Sequence, residues 1–445
     1  MAKNRRVGVL IALVLSIAVA GTGAASGGDG TPGAIGLGDS YDPTAGNGGY
    51  DVTSYDIVLR WEPTSGTIVA TTTMVAVATQ DLSAFNVDFV GFDLGVVTVD
   101  GVVSKVRRIG DELSIDNATS IPSGTSFTVV IPYQGRPTTA FNGITDVGWR
   151  VSGRDVVALG EPEGAKYWYP VNDHPSDKAT YTFEVTAPTS LTVAANGHVA
   201  SRVDNADGTT TWDIVGEGEQ VPHATILVIG EYEIIDGGVV DGVTIRHVVS
   251  RSLPPADRAA LGRTGEFLHE LVAYLGPYPF DTYGIVTVGG IFPGGLESQT
   301  LTAMSPDLLG YDPIMRHELA HAWFGNAISI TTWQDIWLAE GFATFFEAAP
   351  DEFADPAPDG DAPGPPPAAP GPNGADIFGP SVYYGGADAL AALRQEVGAE
   401  TFRAIIRIYV ATYSGGHATT ADFIAVAEQV SGRDLAAFFD EWLYT

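Results

Sequence analysis

The chain has 445 residues, 45% of them hydrophobic, no cysteine, and 54 acidic against 22 basic side chains, for a formal net charge of −32. A chain this long can bury a large core. Without cysteine it must hold its fold by that core, because neither a disulfide nor the acylated cysteine of a bacterial lipoprotein is available. Its negative surface repels nucleic acid and anionic membranes, and no basic patch argues for a polyanionic partner.

At the start, Lys3, Arg5 and Arg6 form a basic head, Val7 to Ala20 an apolar run, and Gly21 to Ser26 a zone of small residues. This is the pattern of a secretory signal peptide over residues 1–25. The apolar run is short for a membrane span and no later stretch is long and apolar enough, so the expected product is secreted, with no span after signal removal. An uncleaved N-terminal anchor at the cell surface is the alternative. Residues 26–48 are Gly-rich and polar and predict a flexible leader, or one ordered only on contact.

From 49 to 236 the pattern is two-residue alternation, as in Tyr55, Ile57, Leu59, Trp61 and again in Tyr181, Phe183, Val185. That spacing puts alternate side chains on one face of a strand. Asp100-Gly101 and Asp207-Gly208 sit between β-rich runs as hairpin turns, so this region reads as an all-β domain. The character changes at Gly237-Gly238. A strand over Val243 to Val249 is followed by a helix after Pro254-Pro255, with Leu268, Leu271, Val272 and Leu275 on one face and Gly276-Pro277 as its stop. A strand from Gly284 to Val288 comes next, and four helices are expected near 387–397, 400–413, 420–430 and 433–443. Residues 237–445 therefore read as an α+β domain, and the whole as a multidomain α+β chain. Residues 350–376 hold nine prolines among Gly, Asp and Ala, a composition that predicts a mobile surface loop.

The second domain is organised around HELAHAWFGN, starting at His317. On a helix, His317 and His321 project from one face about a turn apart and can reach one metal ion, with Glu318 beside them. Glu340, with eighteen residues between it and His321, is the candidate third ligand, which leaves a zinc ion one open position. The helix carries boundary signals: Asp312 as N-cap, Pro313 at the first helical position, and Gly325-Asn326 as a left-handed stop. The other histidines, His174, His198, His223, His247, His269 and His417, lack ligand spacing and read as structural. No GxSxG elbow and no GxxxxGK[ST] loop is present.

Five stretches together, HELAHAWFGN at His317, WLAEGFA at Trp337, GGLES at Gly294, EPEGAKYWYPVNDHPSDKA at Glu161 and YYGGA at Tyr383, resemble the zinc aminopeptidases of the aminopeptidase N and leukotriene hydrolase family, over about residues 45–445. The resemblance implies a saddle-like all-β N-terminal domain followed by a thermolysin-like zinc peptidase domain. It implies one Zn2+ per chain on His317, His321 and Glu340, with Glu318 as general base. It places the substrate's free amine on Glu297 of the Gly294-Gly295 loop and on Glu161 from the β domain, so the site would lie between the domains. Tyr383 matches the family's oxyanion donor, with Tyr384 as the fallback. Four positions depart from the family pattern: Leu296, Ser298, Ala339, and Gly385 where lysine is usual. The large C-terminal helical domain of longer relatives is missing, so the expected site is more open, or roofed by the Pro-rich loop or another subunit. The implied activity is removal of N-terminal residues from peptides with a free N-terminus. A thermolysin-like endopeptidase, which needs no amine-binding acid, is the second reading, and a catalytically silent binding protein on the same fold the third.

Overall fold

The computed structural model describes residues 30–141, 146–348, 364–370 and 376–445. The expected signal peptide lies outside them. Among the described residues no helix is long and apolar enough to cross a membrane.

The alternation read in the front half is a two-layered β structure. Tyr55, Ile57, Leu59 and Trp61 on strand Tyr50–Glu62 and Tyr181, Phe183 and Val185 on Thr180–Pro188 all face one core, and the two strands pair in parallel at the centre of a nine-stranded sheet. Asp100 and Gly101 both take positive φ, 50° and 76°, as a tight hairpin between Thr98–Val99 and Val102–Val103 requires. Gly208, at φ 83°, turns the longer hairpin between His198–Asp204 and Thr209–Val215.

A five-stranded sheet forms the wall between the halves of the molecule. Its strands Asp155–Leu159 and Ile226–Gly230 are nearly continuous apolar runs because both faces are covered. Val156, Ala158, Leu227 and Ile229 face the β core, whereas Val157, Leu159, Ile226 and Val228 pack against Val248, Val286, Leu301 and Ala303 of a six-stranded sheet in the second half. The halves are therefore joined through an apolar layer. The expected boundary at 236/237 needs correction: Gly237-Gly238 lies inside strand Tyr232–Val240, where the pairing register slips between Asp236 and Gly238. The pair makes a β-bulge.

Eight α-helices follow among the described residues: α1 Pro255–Ala260, α2 Thr264–Leu275, α3 Asp312–Ala320, α4 Trp337–Phe345, α5 Gly386–Val397, α6 Ala399–Tyr413, α7 Thr420–Ser431 and α8 Ala436–Phe439. They surround a core rich in aromatic rings, in which Phe324 stacks on Phe342 with centroids 4.3 Å apart. Helix α3 is shorter than expected. Tyr311, in extended backbone, is its N-cap, and Asp312 is its first residue and pairs with Arg263. It ends at Ala320, before Gly325, because the next turn is tightened and its Phe324 carbonyl is taken by the His321 side chain.

Two stretches expected to be loose are packed. The described part of the leader pairs Thr31–Pro32 with Leu82–Asp88, and Asn47 Nδ2 donates to Asp88 and Glu112 at 3.1 and 2.9 Å. Asp39 is buried and accepts from the backbone N–H of Trp333 at 2.8 Å, across to the second half, with His174 Nε2 of the β domain 3.4 Å away. Polar residues here are fixed because their hydrogen bonds have buried partners, which composition cannot show. In the Pro-rich segment, Ala368 is buried in the helical core, its N–H donating to the Leu443 carbonyl at 3.1 Å and its carbonyl accepting from Gln334 at 3.1 Å. Residues 364–370 thus pack on the end of the chain and do not roof the cleft. The rest of that expected loop, except Asp376, lies outside the described residues.

Candidate active site

Helix α3 places His317 and His321 one turn apart, and α4 crosses beneath it carrying Glu340. Helix α4 is apolar and buried nearly all round, so a lone glutamate in it requires a partner. Glu340 Oε2 lies 3.3 Å from His317 Nε2 and 3.5 Å from His321 Nε2, and the two Nε2 atoms are 3.2 Å apart. A tetrahedral ion bound at the usual zinc distances has donor–donor edges of about 3.3 Å, so this triangle fits Zn2+. Its supports were not legible as such in the sequence. His317 Nδ1 is 3.0 Å from Glu347 Oε1, and His321 Nδ1 is 3.0 Å from the Phe324 carbonyl, which leaves both Nε2 lone pairs turned inward. Glu347 stands seven residues after Glu340, two residues past the end of α4, where helical spacing does not mark it.

The triangle sits in a cleft of about 340 Å³ whose lining includes Glu161, Glu297, Glu318, Tyr383 and Tyr384. The front of the chain thus contributes Glu161, with Val147 and Leu159, and the second half the rest of the lining. Glu318 is buried next to the imidazoles. Burial, with the charges of Glu297 and Glu340, pushes its carboxyl up to about 8, against the pull of both histidines. Burial alone would lower the imidazoles. Glu340 and Glu347 outweigh it at His317, which rises to about 9, and Glu297 and Glu340 do so at His321. Five glutamates line the cleft beside the two histidines, a donor set suited to a cation.

The loop glycines have a defined task. A Cβ on Gly295 would fall 2.0 Å from Glu318 Oε1, so bare backbone at this point is what gives the glutamate its place. A Cβ on Gly294 would press on the Phe292 ring at 3.0 Å. Next in the loop, Glu297 has a carboxylate oxygen 3.9 Å from His321 Nδ1, and its backbone carbonyl accepts from Asn326 Nδ2 at 2.7 Å. Ser298, one of the departures noted above, is buried with its hydroxyl unpartnered. Glu161 reaches the cleft from the end of the five-stranded wall. It is buried, one carboxylate oxygen has no hydrogen-bond partner, and burial with the charges of Glu297 and Glu340 drives it toward its neutral form.

Tyr383 and Tyr384 lie on a π-helical turn, Ser381–Gly385, leading into α5. Tyr383 stacks on the His317 ring, centroids 6.0 Å apart and planes within 8°, whereas Tyr384 is 59% exposed at the cleft's edge. This turn approaches α4 closely because Gly341 meets Gly386: a Cβ on Gly341 would lie 2.8 Å from Gly386 Cα. The remaining histidines are outside the cleft lining. Lys178, quoted above only as part of a motif, is buried, and its Nζ donates to the carbonyls of Asn326 and Ala327 at 2.9 Å each.

A β domain docked through an apolar wall on an α+β domain, with a His-His-Glu triangle and a buried glutamate beside it, is the framework of a two-domain metallopeptidase. The Peptidase M1 N-terminal domain matches residues 53–214, and the Peptidase family M1 domain matches residues 260–356 and 371–442. The chain belongs to peptidase family M1. The chain is similar to leucine aminopeptidase 2 of Vanderwaltozyma polyspora, 26% identical over 276 residues that cover 60% of this chain and 41% of that protein. It is likewise similar to aminopeptidase N of Streptomyces lividans, 26% identical over 329 residues, 61% of this chain and 36% of the relative. The chain thus spans about two fifths of these curated relatives. An M1 zinc metallopeptidase from Deinococcus radiodurans superposes with a TM-score of 0.84 at 27% identity, covering 92% of this chain and 97% of that one. A variant of that enzyme, solved with a Tyr-Ser-Ala substrate, gives a TM-score of 0.83 at 26% identity, covering 92% and 98%. The family's ion is Zn2+, in agreement with the donor set found here.

Proposed function

We propose that the chain is a zinc-dependent aminopeptidase that hydrolyses the first peptide bond of peptides with a free N-terminus. The observation that carries this reading is a second acidic cluster beside the metal triangle: Glu161, Glu297 and Glu340 each bring a carboxylate oxygen within 4.8 Å of the others, and among the described residues no lysine or arginine lines the cleft. Buried carboxylates without a cation are costly, and a substrate ammonium neutralises them. An endopeptidase has only a neutral amide to place there. Intact metal donors and Glu318 argue against a silent scaffold.

Bound zinc supplies a Lewis acid that polarises the scissile carbonyl and activates water. The chain's own residues do the rest. Glu161 and Glu297 fix the amine, so that only the first peptide bond reaches the triangle. Glu318, given room by the missing Cβ of Gly295, takes the proton of the attacking water and passes it to the leaving amine. The Tyr383 phenol, beside His317, donates to the oxygen that becomes negative as the carbonyl is attacked.

The test compares aminoacyl-amide reporters covering several side chains with the same compounds N-acetylated, on zinc-loaded protein. Cleavage of only the free-amine series is the expected result. Equal cleavage of the blocked series would move the assignment to an endopeptidase, and silence in both to a scaffold. We further propose that residues 1–25 direct secretion, on the basis of their charge and hydropathy pattern. N-terminal sequencing of expressed protein checks this: a mature start near Ser26 in the medium is expected, and a membrane-held chain still beginning at Met1 would point to the anchor.

A further inference from the structure

Two donor sets of different chemistry share Glu340 in the cleft. One is the imidazole–imidazole–carboxylate triangle. The other is made of oxygen alone: Glu161, Glu297 and Glu340, with one oxygen from each within 4.8 Å of the other two. These residues are 7%, 9% and 2% exposed. Glu161 Oε1 has no hydrogen-bond partner, and its side chain lines the cleft. The nearest protein counter-groups are the imidazoles of His317 and His321, which are neutral when they ligate zinc, so in the zinc-loaded site the trio is neutralised by protons or by a further cation.

The shape and the atoms favour a particular kind of cation. Hard divalent ions bind carboxylate oxygens at about 2.0–2.6 Å, so the donors around one ion lie about 3–5 Å apart, and the three oxygens here all fall within 4.8 Å of one another. Imidazole nitrogens suit zinc, whereas an all-oxygen set suits manganese or calcium. Glu340 Oε2 faces both imidazoles, so this carboxylate joins the two sets, and bridging carboxylates hold pairs of ions in two-metal sites.

We propose that Glu161, Glu297 and Glu340 form a second site, for a hard divalent cation of the Mn2+ and Ca2+ class, whose occupancy blocks the substrate's α-amino group. The blocking role rests on the reading that the same carboxylates hold the amine. Cation and ammonium require the same oxygens, so the two exclude each other. Filling this site raises KM and leaves kcat unchanged.

Zinc-loaded protein titrated with Mn2+ tests this, with bound Mn2+ followed by electron paramagnetic resonance and zinc assayed in the same samples. A single Mn2+ should bind with zinc retained, and the apparent KM for a free-amine reporter should rise linearly with Mn2+. Glu161→Gln removes one charge at constant shape and should weaken Mn2+ binding on the order of tenfold or more, with zinc content unchanged. The proposal is overturned by any of three results: no Mn2+ bound, which leaves protons as the neutralising charge; Mn2+ that enters only by displacing zinc; or an affinity that Glu161→Gln does not move. The two readings separate cleanly. If Glu161→Gln raises KM without Mn2+ but Mn2+ never binds, the amine assignment stands and the cation site falls. If Mn2+ binds and the substitution weakens it, yet KM without Mn2+ is unmoved, the cation site stands and the amine assignment falls.

Discussion

The metal triangle and the acidic pocket beside it share Glu340 but are built in opposite ways. Two of the triangle's donors lie one turn apart, on α3 and at its C-cap, and the third comes from the next α-helix in the chain. The pocket needs Glu161 from the end of the β wall, Glu297 from the loop between two strands of the six-stranded sheet, and Glu340 from α4, so it exists only when the domains are docked through Val157, Val228 and their partners. Local geometry fixes the first, and tertiary packing fixes the second. Changes to the triangle should therefore act on metal and rate, and changes to the pocket on substrate affinity.

The largest effect is expected at Glu318. Glu318→Gln keeps shape and leaves the three donors intact, and should lower kcat by about two to four orders of magnitude with zinc content unchanged. Near-normal turnover would remove Glu318 from its role as base. Gly295→Ala should follow closely, with a loss on the order of a hundredfold. Its methyl would fall 2.0 Å from Glu318 Oε1, so the carboxylate must move although no chemical group has been removed. A fully active alanine variant would show that Glu318 has slack. At Glu347 the expected change is in metal affinity. Glu347→Gln keeps a group near His317 Nδ1 but removes the charge that pairs with it at 3.0 Å, and should weaken zinc about 10–100-fold by competition with a chelator. Unaltered retention would mean that Glu340 alone orients His317.

The contrast also explains what could be read in advance. Helix periodicity is local, so His317, His321 and Glu318 were legible at once, and the alternation of Tyr55, Ile57 and Leu59 announced a strand as clearly. Glu161, Glu297 and Tyr383 rested on resemblance, because no spacing in the chain says that a wall strand, a loop and a π-helical turn converge. Gly341 and Gly386 show why: their contact brings Tyr383 to His317, yet each alone is an ordinary helical glycine. Composition misled where buried partners decide. Asp39 and Asn47 sit in a Gly-rich, polar stretch and are nevertheless held by Trp333, Asp88 and Glu112, and Ala368 is buried amid prolines.

The smallest predicted effect probes the join between the two regions. Lys178 comes from the β domain, and its Nζ fixes the Asn326 and Ala327 carbonyls just past the metal helix. Asn326 Nδ2 in turn fixes the Glu297 backbone carbonyl at 2.7 Å. Glu297, the glutamate proposed to hold the substrate amine, is thus positioned by a lysine that lies outside the cleft lining. Lys178→Met removes both hydrogen bonds while filling the same space, and leaves the Asn326 carbonyl to Ser329 Oγ at 3.2 Å and the Ala327 carbonyl to the Gly415 N–H at 2.8 Å. If the chain of contacts transmits position, KM for free-amine reporters should rise by about threefold to tenfold, with kcat and zinc content nearly unchanged, and Asn326→Ala should reproduce that split. A fall in kcat and zinc content at constant KM would instead mean that Lys178 supports the metal helix, and that the acidic pocket keeps its geometry without help from the β domain.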